Sequence, residues 1–248
     1  MEVDITGTPL LGSIDVKIIP SATIDTTPIN FGSSQTTTAS WATDDNLIFT
    51  SSSSLPDKVG KYNLKIIWKI EVNSKGVWKK AKTLNTEHVV YLTYGVPIEP
   101  SDFTKEKIIF SCVSVQGENT IHNIASDLTY KMNSDLGPWQ DYYNLLLPTD
   151  GPCQSRAKSL KKALEVLGIS SEIKLIGEQN TQGQWHWFYW VEDLGPPKVS
   201  SAPTMTNFEG IVKIGSYGYD PTLDRIGPMN EMEAEGGLII YQYANYWQ

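Results

Sequence analysis

One segment of the chain, residues 150–168, has every feature of a well-bounded amphipathic helix. Asp150 can accept hydrogen bonds from the first turn, and Pro152 suits that turn because its missing N–H would have had no partner there. Gly168 is the residue type best able to end a helix in the left-handed conformation. Cys153 belongs to the apolar stripe that packs against the rest of the protein, together with Ala157, Leu160, Leu164 and Leu167. Strand-like runs precede and follow this helix, which predicts an α+β fold.

The first hundred residues have the sequence pattern of an all-β domain. Short runs alternate apolar and polar residues with the period of a half-buried strand, and the clearest carries Leu64, Ile66, Trp68 and Ile70 on one face. The sequence from Asn73 to Gly76 then predicts a hairpin turn. Several such strands joined by turns predict an immunoglobulin-like β-sandwich over residues 1–98. Pro97 and Pro100 indicate a linker, after which residues 99–248 form a second domain.

Local patterns predict further elements in the second domain. They are a strand over 108–115, a helix over 120–132, a long loop over 133–151, an aromatic strand over 184–191, a strand-like run over 208–219, a loop over 229–236 and a closing strand over 237–247.

Composition excludes several classes of partner. The 248 residues carry a net charge of −8, which argues against nucleic-acid binding because phosphate contacts need clustered Lys and Arg. We expect no transmembrane segment, because no apolar run approaches the ~20 residues that a membrane helix requires. The three histidines show no ligand spacing, and glycine-rich phosphate motifs are missing, so we expect neither a metal nor a cofactor. The Ser- and Thr-rich sandwich favours a secreted or cell-surface location over a cytoplasmic one, and the sequence does not indicate an oligomeric state.

Three residues can supply nucleophilic chemistry. Cys153 lies in the first turn of its helix, where unpaired N–H groups and the helix dipole favour the thiolate. His186 lies near the start of the aromatic strand, and Asp220 follows the 208–219 run just before Pro221. A cysteine nucleophile needs a base to take its proton and a third group to orient that base. Taken singly, each residue also has a structural interpretation, as a small buried side chain, a core imidazole and a turn former.

The order and spacing of these pieces resemble the transglutaminase-like superfamily. The resemblance rests on the sequence from Gly151 to Cys153 with its following helix, on Trp185-His186-Trp187, and on Asp220-Pro221-Thr222. It implies a papain-like core in which Cys153 is the nucleophile, His186 the general base and acid, and Asp220 the orienting group. The chain departs from the family in two places: the alanine that usually follows the histidine is replaced by Trp187, and a long proline-rich loop covers 196–207.

Further site residues follow from this interpretation. The backbone N–H of Cys153 serves as one oxyanion donor, and Gln140, Trp139 or Asn144 in the preceding loop is a candidate for the second. Gln154, Trp185 and Trp187 flank the catalytic positions and are candidates for lining the cleft.

The function that this arrangement implies is cysteine-dependent acyl transfer on an amide bond of a peptide or protein, by hydrolysis or by transglutamination. The alternative is a catalytically silent transglutaminase-like module that binds a peptide, protein or glycan. A third possibility is a disulfide between Cys112 and Cys153, which would leave no free thiol.

Overall fold

A computed structural model gives a mixed α+β architecture with antiparallel sheets. It describes residues 2–5, 14–32, 34–39, 45–98, 104–140, 152–176, 178–179, 185–186, 188–189, 205–206, 209–235 and 240–242. The chain divides into two compact units, one formed by Met1–Asp57 with Lys61–Val90, the other by Lys58–Gly60 with Tyr91–Gln248. The main division falls after Val90, whereas the sequence suggested a boundary after residue 98.

The first unit consists of strands. They are β1 (Glu2–Ile5), β2 (Ile14–Ile24), β3 (Thr27–Ile29), β4 (Gln35–Ala39), β5 (Asp45–Ile48), β6 (Gly60–Ser74) and β7 (Val77–Leu92). The main sheet has the order β3-β2-β6-β7, with β4 also paired to β2, and β1 pairs with β5. The register of β2 on β6 runs from Val16 opposite Val72 to Ile24 opposite Leu64.

Alternating burial builds the core of this unit. Ile18 and Ile24 on β2 and Ile66 and Trp68 on β6 are buried, while intervening residues are largely exposed or half-buried. The predicted hairpin turn is confirmed, because Lys75 and Gly76 both have positive φ, of 55° and 82°, as a type I′ turn requires.

The second unit combines helices with a five-stranded sheet. Its described helices are α1 (Lys105–Ser114), α2 (Ile121–Ser134), a 3-10 turn (Gly137–Trp139), α3 (Pro152–Val166) and α4 (Met229–Glu235). Its strands are β8 (Glu172–Ile176), β9 (Glu178–Gln179), β10 (Trp185–His186), β11 (Phe188–Tyr189), β12 (Met205–Thr206), β13 (Glu209–Ile214), β14 (Tyr217–Asp220), β15 (Arg225–Pro228) and β16 (Ile240–Gln242). The sheet order is β15-β14-β13-β8-β16, and β10 with β9 and β11 with β12 form two separate two-stranded sheets. In the described ranges, no helix has the length and apolar character to span a bilayer.

Helix α3 is the centre of the core of this unit. The predicted stripe is confirmed, since Ala157, Leu160, Leu164 and Leu167 are fully buried. Burial of each leucine side chain contributes roughly 1.5–3 kcal/mol. The helix ends as expected: Gly168 has φ +78°, its N–H donates to the carbonyl of Glu165, and the N–H of Ile169 donates to that of Leu164.

Two predicted elements are wrong. The strand expected over 108–115 lies in α1, where Thr104 caps the first turn by accepting a hydrogen bond from the N–H of Lys107. The loop expected over 229–236 contains α4, whose Met229 and Met232 are buried one helical turn apart against the sheet. In both segments, burial at helical spacing outweighed the local preference of the sequence.

Other expectations are refined or fall partly outside the described ranges. The 208–219 run is two strands, β13 and β14, joined by a turn at Gly215 and Ser216. Both cysteines are free thiols, so the possible disulfide is absent. Residues 141–151, which include the Asp150 cap and Asn144, lie outside the described ranges.

Candidate functional site

The start of helix α3 packs directly on the sheet at a single glycine. A Cβ placed on Gly210 would stand 3.1 Å from the Cα of Gln154 and 3.2 Å from both the carbonyl carbon and the carbonyl oxygen of Cys153. Such distances are tighter than most contacts of a real Cβ, so a side chain at this position would require the backbone at the start of α3 to move by a few tenths of an ångström. Gly210 is the second residue of β13, so this contact sets Cys153 at the end of the strand.

Cys153 lies in an acidic, buried environment. Only 6% of its surface is exposed. Burial raises the pKa of its thiol well above the ordinary value, and the carboxyl groups of Glu209 and Asp220 raise it further. The N–H groups of Gly210 and Gln154 oppose this rise. The helix start alone was expected to lower the thiol pKa, but burial beside two carboxyls outweighs the two N–H groups, so the described surroundings of Cys153 favour the neutral thiol.

Glu209 is the residue at this site that the sequence analysis missed. It is the first residue of β13 and is 3% exposed. Burial raises its pKa well above the ordinary value, and the nearby carboxyl of Asp220 adds to the rise. The side chains of Thr222 and Cys153 lie close to the Glu209 carboxyl and lower its pKa in part. Oγ1 of Thr222 nevertheless makes no hydrogen bond with any described group. No described residue forms an ion pair with Glu209, and burial of a carboxyl in such surroundings favours the neutral carboxylic acid.

The two carboxyl oxygens of Asp220 have different environments. Its Oδ1 accepts hydrogen bonds from the N–H groups of Thr222 at 2.9 Å and Leu223 at 3.1 Å, which fixes the turn after β14. Its Oδ2 has no hydrogen-bond partner within the described part of the chain. Burial raises the pKa of Asp220 to about 6, against the opposing effects of those two N–H groups and of the charge of Arg225. Two buried carboxyls side by side cannot both ionise readily, so Glu209 and Asp220 tend to hold one proton between them.

A chain of hydrogen bonds braces this turn against the helices. Asn133, near the end of α2, donates from Nδ2 to the carbonyl oxygens of Pro221 at 3.3 Å and Thr222 at 2.6 Å. Arg156 on α3 in turn donates from Nη1 to the carbonyl oxygens of Met132 at 2.6 Å and Asn133 at 2.7 Å. Because Arg156 lies three residues after Cys153, this chain couples the start of α3 to the turn that contains Asp220.

The structure therefore brings together two of the three predicted catalytic residues. His186 lies on β10, where it is opposite Glu178 in the short β10–β9 pair. Its side chain lies outside what the structure describes, so its role as general base remains a prediction. Trp185 is opposite Gln179 in the same pair, with its side chain likewise undescribed, and Trp187 falls outside the described ranges.

The remaining candidates have differing environments. Trp139 is fully buried in the core, its carbonyl oxygen accepts from Oγ of Ser159 at 3.3 Å, and Nζ of Lys107 lies 4.9 Å from the centre of its ring. Gln140 is exposed. Gln154 is buried directly after Cys153, and its Oε1 has no hydrogen-bond partner among the described groups. The proposed oxyanion and cleft-lining roles of these residues remain predictions.

Two signals in the sequence could have pointed to Glu209. The pair Gly215-Ser216 divides the 208–219 run into two strands, so the strand before Asp220 begins near Glu209 rather than near His186. Gly210 is a second signal, because a glycine on a strand allows the backbone of a helix to pack closely against it.

Neither a scan against protein-family models nor a search of curated proteins finds a match for this chain. Over the described residues, no group of three or more His, Cys, Asp or Glu side chains is placed to hold a metal ion.

Proposed function

We propose that this chain is a transglutaminase-like scaffold that binds a peptide or protein partner and does not use Cys153 as a nucleophile. The observation that carries the proposal is the pair of buried carboxyls, Glu209 and Asp220, beside the Cys153 thiol.

The position of Glu209 supports this interpretation. The family that the sequence resembles places its histidine on the strand before the Asp-Pro turn, and an alanine usually follows that histidine. In this chain the strand hydrogen-bonded to that of Asp220 begins with Glu209, and the small residue Gly210 follows it. His186 is instead followed by Trp187. These features support assigning Glu209 to the position in which the family carries its general base.

A carboxyl in that place has the opposite effect from an imidazole. An imidazolium stabilises a thiolate through its positive charge, which lowers the thiol pKa. Glu209 is either neutral, and then offers no such charge, or ionised, and then repels a thiolate. In both states Cys153 stays protonated at neutral pH, and nucleophilic attack on an amide is unfavourable. The antiparallel sheets of the first unit support an immunoglobulin-like sandwich, an architecture common in domains that bind partners.

The second candidate function is cysteine-dependent acyl transfer by Cys153, His186 and Asp220. The observation that favours it is the close approach of Cys153 to Asp220, two members of the implied triad. It requires the imidazole of His186 to reach the thiol and to outweigh Glu209.

The two functions differ in the pH dependence of thiol reactivity. Native protein is treated between pH 5 and pH 9 with methyl methanethiosulfonate, a small thiol reagent, and modification of each cysteine-containing peptide is followed by mass spectrometry. The variants are His186→Ala, Glu209→His and Glu209→Gln. Cys112 serves as an internal reference, since burial raises its pKa to about 12.

For a binding module, Cys153 in the native protein reacts slowly below pH 8, and His186→Ala leaves its rate unchanged. Glu209→His supplies the missing base and accelerates the reaction at pH 6 by roughly tenfold or more. Glu209→Gln removes the charge without adding a base, and should produce a much smaller change. Fast reaction of native Cys153 at pH 6 that His186→Ala abolishes would refute the binding-module proposal and establish the acyl-transfer alternative.

A further inference from the structure

Strand β7 has a long sheet edge that pairs with none of the strands the structure describes. It is the last strand in the order β3-β2-β6-β7, and among the described strands none pairs with its outer side. It has 16 residues, so its edge extends about 50 Å. Every residue from Lys79 to Asn85 is exposed, which means that neither face of the strand is covered there. Such an edge offers a row of backbone N–H and C=O groups to another strand.

The charge of the β6–β7 hairpin is opposite to that of the chain. Residues 60–92 contain seven lysines against two glutamates, a net charge of +5 in a chain of net charge −8. Both glutamates already have partners: Glu71 pairs with Lys17 at 2.9 Å, and Glu87 pairs with Lys65 at 3.2 Å.

The positive charge along β7 is concentrated in its exposed stretch. The exposed 79–85 stretch contains Lys79, Lys80 and Lys82. None of the three makes an ion pair with any described residue. Three cations that have no ion-pair partner among the described residues thus lie along the stretch whose two faces are both exposed.

These lysines also select the kind of strand that can pair. Like charges directly opposite each other destabilise a strand pair, and lysines on an edge discourage association of identical edges. Two copies aligned antiparallel on this stretch would place lysine against lysine. A strand that carries carboxylates meets the opposite condition, and exposed Val77, Leu84 and Val89 offer apolar contacts between the charges.

We propose that the free edge of β7 is a docking site for an acidic extended segment of a partner protein, which adds to the sheet as a further strand. Backbone hydrogen bonds supply the pairing, and Lys79, Lys80 and Lys82 supply the preference for acidic sequences. This proposal does not depend on the chemistry of Cys153, and it stands or falls separately from the proposed function.

The test uses the full chain and a fluorescent ten-residue peptide that alternates Glu with Val. A matched peptide with Lys in place of each Glu is the control ligand. Binding is measured by fluorescence anisotropy at low salt, and backbone pairing by amide hydrogen exchange of β7. One variant combines Lys79→Glu, Lys80→Glu and Lys82→Glu, and its charge-preserving control has Arg at the same three positions. Circular dichroism verifies that both variants fold.

We expect the acidic peptide to bind and to protect β7 amides, whereas the Lys peptide should not bind. The triple Glu variant should bind the acidic peptide at least roughly 30-fold more weakly than the native chain does. The triple Arg variant should retain binding. Binding without protection of β7 amides would mean a general attraction of charge and would overturn the proposal. Failure of the acidic peptide to bind, or pairing of β7 between two copies in its place, would overturn it as well.

Discussion

Neutralising the carboxyl pair beside Cys153 should change how stability depends on pH. The perturbation is Asp220→Asn, which keeps an oxygen at the Oδ1 position to accept from the N–H groups of Thr222 and Leu223. The amide cannot ionise, so it resembles the protonated carboxyl. Glu209→Gln makes the matching change in the other member of the pair.

The expected magnitude follows from the pKa of Asp220. Its folded pKa of about 6 lies above its ordinary value of 3.8, so folding favours the protonated form. The stability that this supplies is complete below pH 3.8 and is lost as the pH rises through about 6. Between pH 7 and pH 5 the folded native chain should therefore gain ~1.3 kcal/mol from Asp220 alone. The pKa of Glu209 is raised as well, so this residue acts in the same direction, with a window that opens at its ordinary value of 4.5.

The assay has to report on the second unit by itself. Native-state hydrogen exchange of the α3 amides does this, because the free energy of opening that they report is that of the core around α3. Measured at pH 5, 6 and 7, the difference in free energy of opening between the native protein and Asp220→Asn should shift by ~1.3 kcal/mol in favour of the native protein as the pH falls. The comparison cancels the surface carboxyls, which are the same in both proteins.

Two results would refute this reasoning. A difference that does not change with pH would mean that Asp220 has a similar pKa folded and unfolded. A shift of the opposite sign would mean that the folded chain stabilises the Asp220 anion, as a cationic partner such as an imidazolium would do, and this would favour the acyl-transfer alternative.

Substitutions at Gly168 and Gly210 test the packing around α3, and a substitution at Gly117 serves as a control. Gly168→Ala should destabilise the second unit by ~3 kcal/mol or more, because its φ is +78° and its Cβ would lie 2.4 Å from the carbonyl carbon of Gly95. Gly117→Ala is the control, because Gly117 has φ +95° but its Cβ would meet nothing within 4 Å, so its loss of ~1–2 kcal/mol is the conformational cost alone. Equal losses of urea stability in the Gly168 and Gly117 variants would contradict the close approach of Gly168 to Gly95. Gly210→Ala should cost ~1–3 kcal/mol and speed the alkylation of Cys153 at pH 8, because the start of α3 has to move away from β13. Unchanged urea stability and an unchanged alkylation rate would show that the strand and helix are further apart than described.

Features that depend on local sequence were predictable. The apolar stripe and terminal glycine of α3 and the Asn73–Gly76 hairpin turn each follow from a few neighbouring residues, and the structure has all of them. The α1 segment was mistaken for a strand because its β-branched and aromatic residues favour that state, whereas the Thr104 cap and the packing of Cys112 favour a helix.

Which residues meet at the site depends on the order of the strands in the sheet, and local sequence patterns specify that order poorly. Cys153 and Asp220 were placed by their motifs, and the structure brings them together. Glu209 was missed because a single apolar run concealed a hairpin, and because a buried carboxylate has no signature in an isolated sequence. Its burial arises only when β13 takes its position between β8 and β14, with its first residue against the start of α3.

The hydrogen bonds of Asp220 also affect what its motif can reveal about a chain of this kind. One oxygen organises the turn that follows, and Asn133 holds the carbonyl groups of that turn in place. Asp220 therefore has a structural role in this turn, whether or not any bond is ever cleaved. The Asp-Pro-Thr sequence is therefore compatible with both functions considered for this chain, whereas Glu209 at the start of β13 is the residue that distinguishes them.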